Sequence, residues 1–293
     1  SVIANGLHHL DAQVSMATRA FEDAFGHACG ANLYLTPPDA AGLAAHHDPL
    51  ESFLLQLSGS KTWHLAPPLH DLPLVDDEVR PGEFEPTTTV RLTAGDLLYI
   101  PRGWLHAGES HDDLSVHLSV QANPVRWVDL VVELVRIAAR SDPGLRTSVP
   151  VQRATTAEDR RELDETARSL LARVVSASSA GASAAVLTPI LRRRPRPIGG
   201  YLRSVATADS LEADQLLERV PGMWPIVTTD GDAATIHFSG SYLGAPAEAA
   251  EALEFVARTR RFRPAELPGL ADLEQRLAVC RALVREGLVT SAP

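Results

Sequence analysis

The stretch GDLLYIPRGWLH, residues 95–106, decides how the rest of the chain is read. Gly95, Pro101, Gly103 and His106 are spaced to end a strand, turn sharply and present a histidine at the mouth of a barrel. Upstream, AHHDPLESFLLQLSGSKTWHL (45–65) offers a His-x-Asp pattern, a strand-like run, a Ser-Gly-Ser turn and Lys61. The two stretches together raise the question of a metal site inside a β-structure.

Working outward, residues 31–122 read as β throughout. ANLYLTP (31–37) is a short strand closed by Pro37 and Pro38. FLLQLSGSKTWHLAP (53–67) is two apolar runs about a turn and predicts a hairpin. TTTVRLTAGDLLYIP (87–101) repeats the pattern about Ala94-Gly95-Asp96, and DDLSVHLSVQA (112–122) alternates like a half-buried strand. Several short antiparallel strands at this spacing predict a sandwich or barrel. The preceding DAQVSMATRAFEDAFG (11–26) has helical spacing and is expected to pack outside it.

Beyond 126 the character changes. WVDLVVELVRIAAR (127–140) and AEDRRELDETARSLLARVV (157–175) have helical periodicity, and Thr156 with Asp159 fits a capping box. LRRRPRP (191–197) reads as a basic, proline-broken linker. The last part predicts a helix near DSLEADQLLERV (209–220), a hairpin about Asp230-Gly231, and helices over 247–260 and 270–286, the last stopped by Gly287. The expected division is therefore 1–126, 127–198 and 199–293.

A length of 293 residues suits two or three such units, and 45% hydrophobic with 22% charged residues is ordinary for a globular protein. No run has the length and apolarity of a membrane span, and the start lacks a signal-peptide pattern, so no membrane partner is expected. Opening on a serine with strand-like sequence close behind reads as a truncated start. Two cysteines, Cys29 and Cys280, cannot make a disulfide framework, which favours a reducing cytoplasm. A net charge of −10 argues against a broad nucleic-acid surface. From residue 198 onward there are 9 Arg against 13 Asp and Glu, the wrong sign for phosphates.

In an extended segment residues i and i+2 share a face, so His46 and Asp48 can bind one ion while His47 points away. His106 supplies the third ligand. Two histidines and a carboxylate with open positions opposite suit a non-haem Fe(II) oxygenase, and zinc would also accept them. His8, His9, His27, His70, His111, His117 and His237 lack such context and read as structural or solvated. Lys61 is the only lysine in the chain, which marks it out beside the His/Asp cluster.

The stretches NLYLTPP, HHDPLESFLLQLSGSKTW and GDLLYIPRGWLH resemble the JmjC-type ribosomal oxygenases, cupin-fold protein hydroxylases that use Fe(II) and 2-oxoglutarate. The last stretch matches the cupin motif G-x5-P-x-G-x2-H up to its histidine. The resemblance implies a mixed α+β chain: a double-stranded β-helix (a cupin or JmjC jelly roll), then a helical dimerisation region and a winged-helix domain. It implies His46, Asp48 and His106 as iron ligands and Lys61, fifteen residues after His46, as the partner of the cosubstrate's distal carboxylate. It also places Asn32 and Tyr34 on an inner strand lining the pocket. Related hydroxylases can carry a substrate-contacting serine where this chain has Gln121.

The activity so implied is hydroxylation of an arginine or histidine of a ribosomal protein with Fe(II), 2-oxoglutarate and O2, by a homodimer that makes no direct nucleic-acid contact. A peptide hydroxylase of natural-product biosynthesis is a close variant. The rival from another class is a non-enzymatic, metal-binding or ligand-sensing cupin, in which Lys61 would be incidental.

Overall fold

Alternation in the first 124 residues builds two small sheets. The strands are β1 (Val2–Ala4), β2 (Ala28–Thr36), β3 (Glu51–Ser58), β4 (Ser60–Ala66), β5 (Thr88–Thr93), β6 (Leu97–Ile100), β7 (Leu105–Ser110) and β8 (Ser115–Asn123). One sheet runs β1-β2-β8-β3-β6 and the other β5-β4-β7, all pairs antiparallel, in a jelly roll. The computed structural model describes residues 1–74, 79–80, 82–177, 182–192, 194 and 201–292.

Side-chain alternation along the larger sheet explains where the pocket lies. Cys29, Ala31, Phe53, Leu118, Val120 and Ala122 form one apolar face, and Val14 and Phe21 of helix α1 (Ala12–Phe25) pack on it. Asp11 caps α1 by accepting from the Gln13 and Val14 N–H groups, and Gly26 ends it at φ +68°. The intervening residues of the same strands point the other way. Thr36, Ser52, Gln56, His117 and Ser119 are therefore buried polar groups facing the interior. Leu54 and Ile100 meet Trp63, Leu65 and Leu92 of the second sheet in a smaller apolar cluster.

The strands on either side of the Ser-Gly-Ser turn do not pair, which corrects the expected hairpin. β3 bonds to β8 and β6, whereas β4 bonds to β5 and β7. Gly59, at φ +63°, carries the chain round the corner from one sheet to the other, and a Cβ there would lie 2.2 Å from the Leu114 carbonyl oxygen. β5 and β6 switch sheets in the same way across Gly95, so that repeat is no hairpin either.

The chain divides into two compact units, one drawing mainly on Ser1–Pro124 and the other on most of residues 125–293. The second begins with helices α2 (Trp127–Ser141), α3 (Ala157–Ala177) and α4 (Ala182–Arg192), where Thr156 and Asp159 form the expected capping box. Helix α5 spans Tyr201–Thr207. The expected linker at 191–197 lies largely outside the described residues. The expected helix over 209–220 is absent: after a 3-10 turn the chain enters β9 (Leu217–Arg219). The hairpin about Asp230-Gly231 is present as β10 (Ile226–Asp230) and β11 (Ala233–Phe238), extended by β12 (Ser241–Pro246). Helix α6 (Ala250–Arg258), β13 (Arg261–Phe262), helix α7 (Leu273–Arg285) and β14 (Val289–Ser291) complete the unit. β13 and β14 flank β9, so Leu217 is wholly buried in a strand that only distant partners define. No helix of the described residues is long and apolar enough to cross a membrane.

Candidate metal centre

His46 precedes β3 and is drawn against β7 by a two-way backbone bridge. His106 N–H donates to the His46 carbonyl at 2.8 Å, and His46 N–H donates to the His106 carbonyl at 3.2 Å. Directly opposed residues project their side chains to the same face, and the two imidazole centroids are 4.3 Å apart. The turn before His106 is latched to the same segment, because Gly103 N–H donates to the Asp48 carbonyl at 2.9 Å. His46, Asp48 and His106 each bring one potential ligand atom within 4.8 Å of the others. His47 is not part of this group.

The protons are arranged for metal binding. A backbone carbonyl only accepts, so the Nδ1 of His46, 2.8 Å from the Ala44 carbonyl, carries a proton. The Nδ1 of His106 donates likewise to the Trp104 carbonyl at 3.1 Å. Both Nε2 lone pairs are thereby left for an ion. The His106 Nε2 lies 3.8 Å from the Asp48 carboxylate, and that carboxylate accepts from the Ser52 hydroxyl at 3.4 Å. Burial first, and His46 second, lower the pKa of His106 and favour its neutral, ligating form. The donor set fits a borderline metal ion with positions left open.

Lys61 stands in β4 at 3% exposure. Its Nζ donates to the Thr36 hydroxyl at 3.1 Å and sits 5.0 Å from the Trp63 ring centroid. Gly108 makes room for the stem: a Cβ there would lie 2.8 Å from Lys61 Cε and 3.1 Å from the Trp63 ring. Burial alone brings the amine down to about 8. Among the described residues no carboxylate pairs with it. A buried ammonium without a counter-ion is costly, and a bound carboxylate would relieve that cost.

His46, Asp48, His106 and Lys61 all line one pocket. Tyr34 and Gln121 line it as well, whereas Asn32 stands behind Gln121 and donates to its side-chain oxygen at 3.2 Å. His117, read from the sequence as structural or solvated, also lines the pocket. It is 1% exposed and stacked on Tyr34 at 4.8 Å. Burial, aided by Lys61, brings it down to about 3, so its ring stays neutral. Its inward phase on β8, two residues from Ser119 and four from Gln121, was the available signal. Trp63, Ser52 and Gly108 line the pocket too, and no chemical motif marks them.

Residues 9–130 match the family model described as JmjC domain. The chain is similar to ribosomal oxygenase 1 of Danio rerio, 37% identical over 145 residues, which covers 44% of this chain and 26% of that protein. It is also similar to the bifunctional lysine-specific demethylase and histidyl-hydroxylase NO66 of Drosophila persimilis, 42% identical over 96 residues, or 32% of this chain and 14% of that protein. The match thus spans under a third of the length of these curated relatives. Among solved structures, the Escherichia coli ribosomal oxygenase YcfD in complex with cobalt and 2-oxoglutarate aligns with a TM-score of 0.54. That alignment is 18% identical over 99% of this chain and 78% of YcfD, a likeness of fold.

Proposed function

We propose, with residues 9–130 as a JmjC domain, that this chain is an Fe(II)- and 2-oxoglutarate-dependent dioxygenase acting on an arginine or histidine of a ribosomal protein. One observation carries the reading: a His/Asp/His cluster and a buried lysine with no carboxylate partner among the described residues share a single pocket. The names of the relatives and the cobalt and 2-oxoglutarate held by YcfD support the choice of cosubstrate and target class.

In this reading His46, Asp48 and His106 hold Fe(II), and Lys61 pairs with the distal carboxylate of 2-oxoglutarate. Fe(II) with O2 and 2-oxoglutarate supplies the oxidation, releasing succinate and CO2 and placing one oxygen atom on a carbon of the target. The chain's own residues do the positioning. The Ala44 and Trp104 carbonyls hold the two imidazoles in register, and Trp63 and Gly108 wall the lysine stem. Tyr34 and Gln121 face the incoming side chain. The net charge of −10 suits approach to a basic ribosomal segment. Lys61 is what a metal-binding, non-enzymatic cupin would not need.

Succinate formation from 2-oxoglutarate with Fe(II) and ascorbate, compared between the native chain and Lys61→Ala, tests this directly. A charge-assisted hydrogen bond to a carboxylate is worth about 1.5–3 kcal/mol. The variant should therefore need roughly 10- to 100-fold more 2-oxoglutarate. An iron-loaded native chain that forms no succinate refutes the proposal.

The reading extends to a cytoplasmic homodimer, to a winged-helix unit in residues 199–293, and to a helical dimerisation region over 127–198. Trp127 is 82% exposed on α2, beside exposed Val128, Val131 and Val132, and such a contiguous apolar strip suits a partner copy. Light scattering at micromolar concentration should give twice the chain mass; a monomer would remove the dimer from the reading.

A further inference from the structure

The chain's single lysine is placed for a second chemistry besides gripping an anion. Lys61 is 3% exposed, yet it lines the pocket, and its Nζ donates to the Thr36 hydroxyl at 3.1 Å. An ordinary lysine amine is almost wholly protonated near neutral pH and has no lone pair to offer. Burial brings this one from 10.5 down to about 8, which raises its neutral share at pH 7.5 roughly 200-fold. No neighbouring charge holds the proton on. Among the titratable groups lining the pocket, His117 on β8 stays neutral, Tyr34 on β2 keeps its proton, and His46, Asp48 and His106 form the metal cluster. On β7 the pocket-lining neighbour is Gly108, while Glu109 bonds to His64 at 3.1 Å. Ser1 also lines the pocket, with its hydroxyl 2.9 Å from that of Thr36.

We propose that Lys61 is a carbon dioxide site, where its Nζ forms a carbamate that competes with the cosubstrate's distal carboxylate. The Nζ lone pair attacks the carbon of CO2, and as the N–C bond forms one C=O π pair moves onto oxygen. The nitrogen then gives up one proton to water, leaving an uncharged N–H that bears a carboxylate. The Thr36 hydroxyl, which accepts from the ammonium, can rotate and donate to that anion. Trp63 brings a further donor to the pocket wall, because its Nε1 is buried with no partner among the described residues. The adduct replaces the pocket's cation with an anion, and the lysine then repels the dicarboxylate it would otherwise hold. The proposed reaction releases CO2 in this same pocket, so each turnover delivers the ligand. That source and the competition rest on the dioxygenase reading; the capture does not.

The test uses the full chain without metal, held under carbon-13-labelled CO2 at a fixed partial pressure and matched ionic strength. Carbon-13 NMR reads the carbamate. Trapping with a trialkyloxonium salt and peptide mass spectrometry then places it, separating Lys61 from the amine of Ser1. The mark is expected on Lys61 at pH 8.5 and should fall at least ~10-fold at pH 6.5, where the amine is protonated. Lys61→Arg keeps a cation that cannot form the adduct and should carry no mark at that position. Calorimetry on the Mn(II)-loaded chain at pH 8 should find 2-oxoglutarate bound at least ~3-fold more weakly under CO2 than under nitrogen. Lys61→Arg should show no such difference.

A native chain with no trapped carbamate on Lys61 overturns the proposal. So does a carbamate that leaves 2-oxoglutarate affinity untouched, because an adduct on Nζ removes the ammonium. Failure of 2-oxoglutarate to bind under nitrogen would sink the dioxygenase reading and the competition with it. The carbon-13 signal, which needs neither metal nor cosubstrate, would still decide the capture.

Discussion

The two units bury different kinds of side chain. Between its sheets the first unit sequesters Thr36, Ser52, Gln56, Lys61, His106, His117 and Ser119, all under 6% exposed. The second unit fills its centre with Leu217, Ile236, Phe238, Leu253, Val256, Phe262, Leu283 and Leu288, each no more than 1% exposed. Apolar burial at roughly 25 cal/mol per Å² stabilises a fold, whereas buried polar groups gain little net and are costly when unpaired. The first unit holds its polar interior because the opposite face of the same sheet is sealed under α1 by Phe53, Val120 and their neighbours. One interior is thus built for binding and the other for stability. The free Cys280, which burial in that apolar centre pushes up to about 12, is inert for the same reason.

The sharpest way to break this contrast is His106→Ala. It should weaken iron binding by more than the ~10- to 100-fold typical of losing a group that merely supports a ligand, and should abolish succinate formation. Equilibrium dialysis against Fe(II) checks the first effect, with His47→Ala, which should change neither, as the control. Phe238→Ala in the apolar centre should cost about 3–5 kcal/mol of unfolding free energy in urea while leaving 2-oxoglutarate affinity alone. A comparable loss of cosubstrate affinity would show that the two interiors are not separable.

The smallest expected effect comes from pH. The Lys61 amine, at about 8 in the free chain, must be protonated to grip a carboxylate. Affinity for 2-oxoglutarate should hold steady below pH 8 and fall as pH rises through it, about tenfold per unit. Lys61's contribution to stability should run the other way. Between pH 8 and its ordinary value of 10.5, the unfolded chain keeps a proton that the folded chain has lost, so folding is favoured as pH rises. Calorimetric titrations and urea melts at matched pH, compared with Lys61→Met, should show opposite slopes. Parallel slopes would mean that the amine is not the cosubstrate's partner.

Local spacing made the convergence of His46, Asp48 and His106 legible in the sequence, because His46 and Asp48 share a face in any extended chain and the Gly95–His106 pattern dictates a turn. Lys61 was legible through its rarity. Pairing partners were not. The Ser-Gly-Ser turn has the same local chemistry whether the following strand folds back on β3 or crosses to the other sheet, and only the distant β8 and β7 decide between them. Residues 209–220 read as helix for a related reason, since β9 exists only between β13 and β14. The hydrogen bonds from Asn32 to Gly6 and to Gln121 join residues 26 and 89 positions apart and have no sequence signature.

Gly108 shapes the cavity from the strand opposite the lysine. The space a methyl group would claim there is already taken by Lys61 Cε and the Trp63 ring. The position of the ammonium, and so the span from the metal cluster to the cation, is governed by β7 as much as by β4. A single added carbon at residue 108 would shift that ruler and, with it, the length of diacid that fits best. If the proposed cosubstrate is the right one, retuning this protein for a shorter or longer diacid should begin with the glycine, before touching any charged group.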